Sequence, residues 1–359
     1  MEKNIAVLAG DGIGPEVMDQ AIRVIKKVEE KYNHSFNFIE AKIGGAAFDQ
    51  FQNHCPQKTL DICKSSDAIL FGSVGGPVDA QLEPKWKNCE ANSLLAIRKH
   101  FGFNINIRPI KMYPELSDHS PLKQSVIGEN TDIVIFRELI GDIYFGEHIQ
   151  GVNDQHFRYA KDTADYDENQ IKSILHAAFQ AAINRNKKVT SVDKANVLAT
   201  SKLWREIANE VAKDYPEIEL QHLYVDNCAM QFIVNPQQFD IVVTANLFGD
   251  ILSDLASVFP GSLGLIPSAS LNKNNFGMYE PSGGSAPDIA NKGIANPIAQ
   301  ILSAAMMLEY SFSLNQEADA IRTAVNKTIS QGHRTSDLAQ QSDIKLSTRE
   351  ITNKIIQNL

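Results

Sequence analysis

The sequence predicts an α/β protein of two domains. Three observations carry this reading. The chain has 359 residues, long enough to fill two hydrophobic cores. Hydrophobic residues make up 43% and charged residues 21%, the balance of an ordinary globular protein. Short apolar runs alternate with longer segments of helical periodicity, the pattern of strands joined by crossover helices in a substantially parallel sheet.

The runs Ile5–Leu8, Ala68–Phe71, Asp132–Phe136, Val189–Val192, Leu220–Val225 and Asp240–Thr244 are short and apolar, and read as buried strands. Pro15–Lys31, Glu168–Asn184, Lys202–Asp214 and Pro297–Tyr310 are longer and periodic, and read as helices. Between the first strand and the first helix lies GDGIGPEV. Its glycines, Gly10, Gly12 and Gly14, are spaced G-x-G-x-G-P, whereas a dinucleotide fingerprint requires G-x-G-x-x-G. Pro15 suits the first helical turn. This is a tight turn opening a helix, expected to border a cofactor cleft at most. The stretch Gly146–Tyr166 is polar and aperiodic, either an irregular loop or an exposed hairpin arm. Asp337–Leu359 reads as a polar linker and a final helix. There is no internal repeat.

Composition excludes several classes. The net charge is −9, and no basic stretch gives a nucleic-acid footprint. No apolar run approaches the roughly 20 residues that span a bilayer. The start, MEKNIAVLAG, carries no signal-peptide pattern, so the cytoplasm is the expected location. Four cysteines (Cys55, Cys63, Cys89, Cys228) form no C-x-x-C pair, and the nine histidines form no H-E-x-x-H. A zinc enzyme is not expected. An acidic protein that binds an anion needs a local cluster of cations.

Arg98, Arg108 and Arg137 can supply that cluster, because the guanidinium fork matches a carboxylate bidentately. Each alone is more often a salt-bridge residue. Asp250 and Asp254, four apart in NLFGDILSDLASVFPGSLGL, project from one helical face. Solvated pairs are common, but the surroundings here are apolar and glycine-rich. Two hard oxygen donors at this spacing suit Mg²⁺ or Mn²⁺, with Asp226 in YVDNCAMQ a candidate third ligand. Leu94 lies one turn before Arg98, so one helical face would present an alkyl group beside a guanidinium; otherwise it is simply core. Tyr144 and Lys194 each follow an apolar strand closely, where α/β proteins place site residues, and either could transfer a proton if a neighbouring cation or metal lowers its pKa. A core tyrosine and an exposed lysine are the ordinary alternatives. In YEPSGGSAPDIANKGIANP, Gly283-Gly284-Ser285 allows close backbone approach. Asp288 can there accept from a ribose hydroxyl and repel a 2′-phosphate.

Taken in order, these segments resemble the isocitrate/isopropylmalate family of β-decarboxylating dehydrogenases over essentially the whole chain. NLFGDILSDLASVFPGSLGL is similar to the family signature and GSAPDIANKGIANP to its cofactor loop. The resemblance implies a two-domain isopropylmalate/isocitrate dehydrogenase-like fold with a mixed central sheet, not a Rossmann fold. Domain 1 would comprise 1–103 and 261–359 with most of the NAD site. Domain 2 would comprise 104–260, with the dimer interface and an arm near 146–166 that interlocks two subunits. It further implies that Arg98, Arg108 and Arg137 clamp substrate carboxylates. Asp226, Asp250 and Asp254 would hold Mg²⁺ or Mn²⁺, with Asp226 reaching from the partner subunit of a homodimer and touching substrate. Tyr144 and Lys194 would transfer protons, Lys194 also across the dimer. Leu94 would face the substrate's alkyl group. The NAD contacts would be Gly284, Ser285, Ala286, Pro287, Asp288, Ile289 and Asn296, with Gly75, Gly76 and Glu90 on the opposite lip.

Within the family, RELIGDIYFG resembles the isopropylmalate version R-E-L-T-G-G-I-Y-F-G rather than the R-E-N-T of isocitrate and tartrate enzymes. An apolar Leu94 suits an isopropyl group, and Asp288 stands where NADP-dependent members have lysine. The implied reaction is oxidative decarboxylation of 3-isopropylmalate to 4-methyl-2-oxopentanoate and CO₂. The alternatives are a D-malate/tartrate or isocitrate-type relative, or a catalytically silent nucleotide-binding protein. Three positions depart from the family pattern: Gly283 for His, Ile140 for Thr and Asp142 for Gly. Asp142 adds a negative charge near an anion site.

Overall fold

The computed structural model describes residues 1–128, 131–340 and 343–359. They form two compact units, one of Met1–Phe103, Met112–Pro121 and Ser257–Leu359, the other of Asn104–Lys111 and Leu122–Ala256. Compared with the expected division, Met112–Pro121 and residues 257–260 group with the first unit.

In the first unit, strands run in the order Ser35–Glu40, Glu2–Gly10, Ala68–Ser73, Gly277–Pro281, Pro267–Leu271. The first four are mutually parallel and the last pair antiparallel. Ala68–Ser73 is buried at every residue, as a strand covered on both faces must be. The helix Gly14–Tyr32 buries Val17, Met18, Ala21, Val24, Ile25 and Val28, one stripe at helical spacing. It ends at Asn33, whose φ of 55° is left-handed. The helix Ile298–Tyr310 is buried from Ile298 to Leu308 and packs against Gly14–Tyr32 and Asn315–Ser330. The expected final helix is Thr348–Asn358, started by a capping box of Ser347 and Glu350.

In the second unit, Ile105–Lys111 lies antiparallel to Asp132–Glu138, followed by Ile241–Thr244, Lys188–Asp193 and Glu219–Tyr224 in parallel. Helix Glu168–Ile183 is opened by Asp167 in a capping box with Gln170. Helices Ala199–Val211, Val225–Val234 and Asn246–Ala256 complete the unit. Of the two readings of Gly146–Tyr166, the structure takes the hairpin. His148–Val152 pairs antiparallel with Arg158–Asp162, and the second strand is exposed throughout.

All six expected strands are present. Several boundaries are corrected: the expected Leu220–Val225 strand is Glu219–Tyr224, with Val225 beginning a helix, the Asp240–Thr244 strand starts at Ile241, and two helices lose a terminal residue, Asn184 and Pro297. The expected Lys202–Asp214 helix begins at Ala199 and ends at Val211, followed by a 3-10 turn. Four further strands, Ser35–Glu40, Ile105–Lys111, Pro267–Leu271 and Gly277–Pro281, were not expected, because polar residues and proline interrupt their apolar pattern.

Candidate active site

The second unit gathers charged side chains around Asp250. This residue lies on the Asn246–Ala256 helix, which follows directly from strand Ile241–Thr244. The neighbouring strand, Asp132–Glu138, carries Arg137 next to its end, with the side chain 2% exposed. Arg137 pairs with Asp250 Oδ1 and donates through Nε and Nη2 to Asn246 Oδ1 at 3.0 and 2.8 Å. Gly249 makes this possible: a Cβ there would sit 2.6 Å from Arg137 Cγ. Arg108, also buried, approaches Asp250 at 3.7 Å and Asp254 at 3.8 Å. Asn106 and Ser253 accept from its Nε and Nη1. The Tyr144 hydroxyl donates to Asp250 Oδ2 at 2.6 Å, and the Arg137 guanidinium lies 5.5 Å from its ring centroid.

Asp250 and Asp254 therefore share one face, as their spacing predicts. Partial burial pushes the Asp254 carboxyl up, Arg108 pulls it down, and the charge of Asp250 raises it again. Two carboxylates held together against mutual repulsion are a hard-oxygen donor set that fits Mg²⁺ or Mn²⁺. Asp226 stands elsewhere: it accepts from Lys194 Nζ at 2.6 Å, and its side chain is 66% exposed. That hydrogen bond holds its carboxyl below the ordinary value. Among the described residues, no three acidic, histidine or cysteine side chains come together as a metal site. One chain thus presents two of the three expected ligands at one place and the third, paired with Lys194, at another.

The first unit holds the remaining candidates. Arg98 is buried and donates to Glu280 Oε1 at 2.7 Å, with side-chain exposures of 6% and 8%. Leu94 sits in a π-helical turn, Ala91–Leu95, and packs half-buried against the core around Phe71 and Ile97. Such turns recur at functional sites. Glu90 is exposed, and its Oε1 would lie 3.1 Å from a Cβ at Gly75, so these two residues face each other. Gly76 packs against the indole of Trp86.

The loop carrying Ser285–Asn296 docks on the opening turn. Ile13 N donates to Ser285 O at 2.8 Å, and a Cβ at Gly12, where φ is +58°, would lie 1.9 Å from that oxygen. GDGIG thus lies directly beneath this loop, with Gly12 packed under Ser285. Ile13, Val17, Leu263, Ile289, Asn296 and Gln300 line a cavity of about 470 Å³. Gly283 and Gly284 open its mouth, with no atom closer than 4.0 Å to a Cβ at either. Gln300 is 1% exposed, and among the described residues neither carboxamide atom has a hydrogen-bond partner. A buried group left so costs about 1–3 kcal/mol. An apolar cavity with an unsatisfied amide at its wall fits the adenosine half of a dinucleotide. Asp288 is exposed on the same loop.

The family model for isocitrate/isopropylmalate dehydrogenases matches residues 4–355. The chain belongs to this family. Curated 3-isopropylmalate dehydrogenases of Haemophilus influenzae and Aquifex aeolicus are 54% and 50% identical to it. Both alignments cover 99% of this chain, and 98% and 96% of the relatives. The crystal structure of isocitrate dehydrogenase from Methylococcus capsulatus superposes with a TM-score of 0.87 at 34% identity, covering 99% of each chain. A β-decarboxylating dehydrogenase from Thermococcus kodakarensis gives 0.79 at 34% identity over 99% of this chain and 96% of that one. The α/β fold with mixed sheets is that of the family.

Several buried polar residues lie inside the motifs quoted above without having been singled out as site residues. Asp11 is buried and accepts from the backbone N–H groups of Gly45, Ala46 and Gly75 at 2.8, 2.8 and 3.1 Å. Burial nonetheless raises its carboxyl above the ordinary range, against those three bonds. Asn246 positions Arg137, Glu280 accompanies Arg98, and Glu138 folds back onto Ile140 N and Gly141 N. Except for Glu138, whose partners are two and three residues on, each is a buried polar side chain far in sequence from its partner, and no local pattern records such a pairing.

Proposed function

We propose that the chain is an NAD-dependent, divalent-metal-dependent 3-isopropylmalate dehydrogenase of leucine biosynthesis. It would convert 3-isopropylmalate to 4-methyl-2-oxopentanoate and CO₂ as a cytoplasmic homodimer. The observation that carries this reading is the convergence of Arg108, Arg137, Tyr144 and Asp254 on Asp250. Two buried guanidinium groups beside paired hard-oxygen ligands can hold a hydroxy acid by its carboxylates. The half-buried, apolar setting of Leu94 and the identity of about half to curated isopropylmalate enzymes favour an isopropyl substituent over a further carboxylate.

When bound, the metal would supply Lewis acidity at the substrate hydroxyl, and NAD would supply the hydride acceptor. Arg98, Arg108 and Arg137 neutralise and orient the carboxylates. Lys194 takes the hydroxyl proton, and Tyr144 returns a proton to the enol carbon once CO₂ has left. The Gly12–Ser285 floor, the Gln300 cavity and the carboxylate of Asp288 support adenosine binding with a free ribose 2′-hydroxyl.

Asp226 and Lys194 pair with each other away from Asp250, which supports their acting in the neighbour's site. The second unit also exposes Met230, Val234 and Ile251 on two helices, and Val152 and Phe157 on or beside the hairpin strands. Such a set is suited to burial against a second copy. No helix of the described residues is long and apolar enough to cross a membrane.

The test is a substrate panel: 3-isopropylmalate, isocitrate, D-malate and tartrate, each with NAD or NADP, with and without Mn²⁺. Mn²⁺-dependent NADH formation fastest with 3-isopropylmalate is expected. Faster turnover of D-malate or isocitrate would overturn the substrate assignment, and NADP preference would overturn the role of Asp288.

A further inference from the structure

Asp142 occupies an unusual position. Its φ is +68°, a left-handed conformation that aspartate tolerates better than most residues. Its side chain is buried and satisfied twice. Oδ2 accepts from Leu247 N at 3.0 Å and Oδ1 from Ile143 N at 2.9 Å. Leu247 lies in the first turn of the Asn246–Ala256 helix, where free N–H groups and the helix dipole favour a carboxylate. The backbone of Asp142 is tied as well. Its N–H donates to Asp165 O at 3.1 Å, and its carbonyl accepts from Phe145 N and Gly146 N at 3.2 and 3.1 Å. Those last two bonds close the turn that presents Tyr144.

One residue therefore joins two parts of the site. Its carbonyl shapes the turn bearing Tyr144, and its carboxylate grips the start of the helix bearing Asp250 and Asp254. The contact these parts share is the 2.6 Å hydrogen bond from the Tyr144 hydroxyl to Asp250 Oδ2. A second strap runs beside it, from Asn246 Nδ2 to Gly141 O at 3.2 Å. We propose that Asp142 is a positioning residue that sets the Tyr144–Asp250 distance by clamping the tyrosine turn to the helix N-terminus. The proposal rests on the reaction assigned above. The negative charge that looked out of place in the sequence is thus turned onto a helix end.

The test compares Asp142→Gly, Asp142→Asn and wild type. Glycine adopts φ of +68° without strain, so Asp142→Gly removes the clamp and leaves the backbone path intact. Asparagine keeps one acceptor and is as good as aspartate at a helix start. Amide hydrogen exchange at residues 247–250 is expected to quicken about tenfold in Asp142→Gly and to stay within about threefold of wild type in Asp142→Asn. With the panel substrate turned over best, kcat is expected to fall about tenfold in Asp142→Gly, while KM for NAD is unchanged. In a Tyr144→Phe background the same substitution is expected to have little further effect, because both changes remove one contact. Undiminished loss in that background, or wild-type exchange in Asp142→Gly, would overturn the proposal. Failure of the reaction assignment would show differently, as absent turnover in the wild type, with the exchange comparison still deciding the clamp.

Discussion

The pair Arg98–Glu280 offers a sharp energetic test, because a guanidinium proposed to meet substrate is already held by an internal carboxylate. Both side chains are nearly inaccessible, at 6% and 8% exposure, and they meet at 2.7 Å. Arg98 Nε has no hydrogen-bond partner among the described residues, so Glu280 is the principal compensation for a buried charge. Truncating one member of such a pair costs about 3–5 kcal/mol, because the other is left charged and desolvated. Glu280→Ala is expected near the upper figure. Glu280→Gln keeps an acceptor oxygen and is expected near about 3 kcal/mol. The assay is urea unfolding followed by far-UV circular dichroism at pH 7. If the penalty is the unpaired charge, Arg98→Met combined with Glu280→Leu should recover most of the loss, since an apolar pair of similar volume needs no compensation. A loss below about 0.5 kcal/mol in Glu280→Gln would refute the reasoning. So would a double variant no more stable than the single one.

Three further outcomes follow from the same geometry. Arg137→Lys replaces a fork that bridges Asn246 and Asp250 with a point charge; kcat/KM should fall on the order of a hundredfold in steady-state assays. Asp11→Asn presents an amide to three backbone N–H groups that now share a carboxylate. KM for NAD should rise about tenfold with kcat little changed, because Gly75 loses its anchor. Glu138 is buried, and that burial raises its carboxyl to about 7. The folded state therefore binds a proton that the unfolded chain releases between about pH 4.5 and 7, and stability falls as pH rises through that window. The Glu138 contribution lost is about 3 kcal/mol. Glu138→Gln, measured by denaturant unfolding at pH 5 and pH 8, should lack this part of the decline.

The legible parts of the fold were those that obey one simple pattern. Ala68–Ser73 and Ile241–Thr244 are buried throughout and apolar up to their last residues, as strands with both faces covered are. Two of the four strands that the apolar pattern misses carry buried polar residues of the candidate site. Ile105–Lys111 contains Asn106, Arg108 and Pro109, and Gly277–Pro281 contains Glu280. Buried polar side chains break the periodicity that marks a strand. The residues of the candidate site were legible through their motifs, but their partnerships were not. Nothing local links Arg98 to Glu280 or Asp142 to Leu247, which lie 182 and 105 residues apart. The opening GDGIG turn shows the same limit. Its spacing excluded a dinucleotide fingerprint, yet only the fold brings Gly12 beneath Ser285.

The central claim is that this protein couples oxidation of 3-isopropylmalate to loss of its carboxylate. It is tested most directly by the stoichiometry of one reaction of the purified protein with 3-isopropylmalate, NAD and Mn²⁺. NADH, CO₂ and 4-methyl-2-oxopentanoate should form in equal amounts as substrate disappears. NADH without matching CO₂, or no NADH under conditions that keep the protein folded, would contradict it.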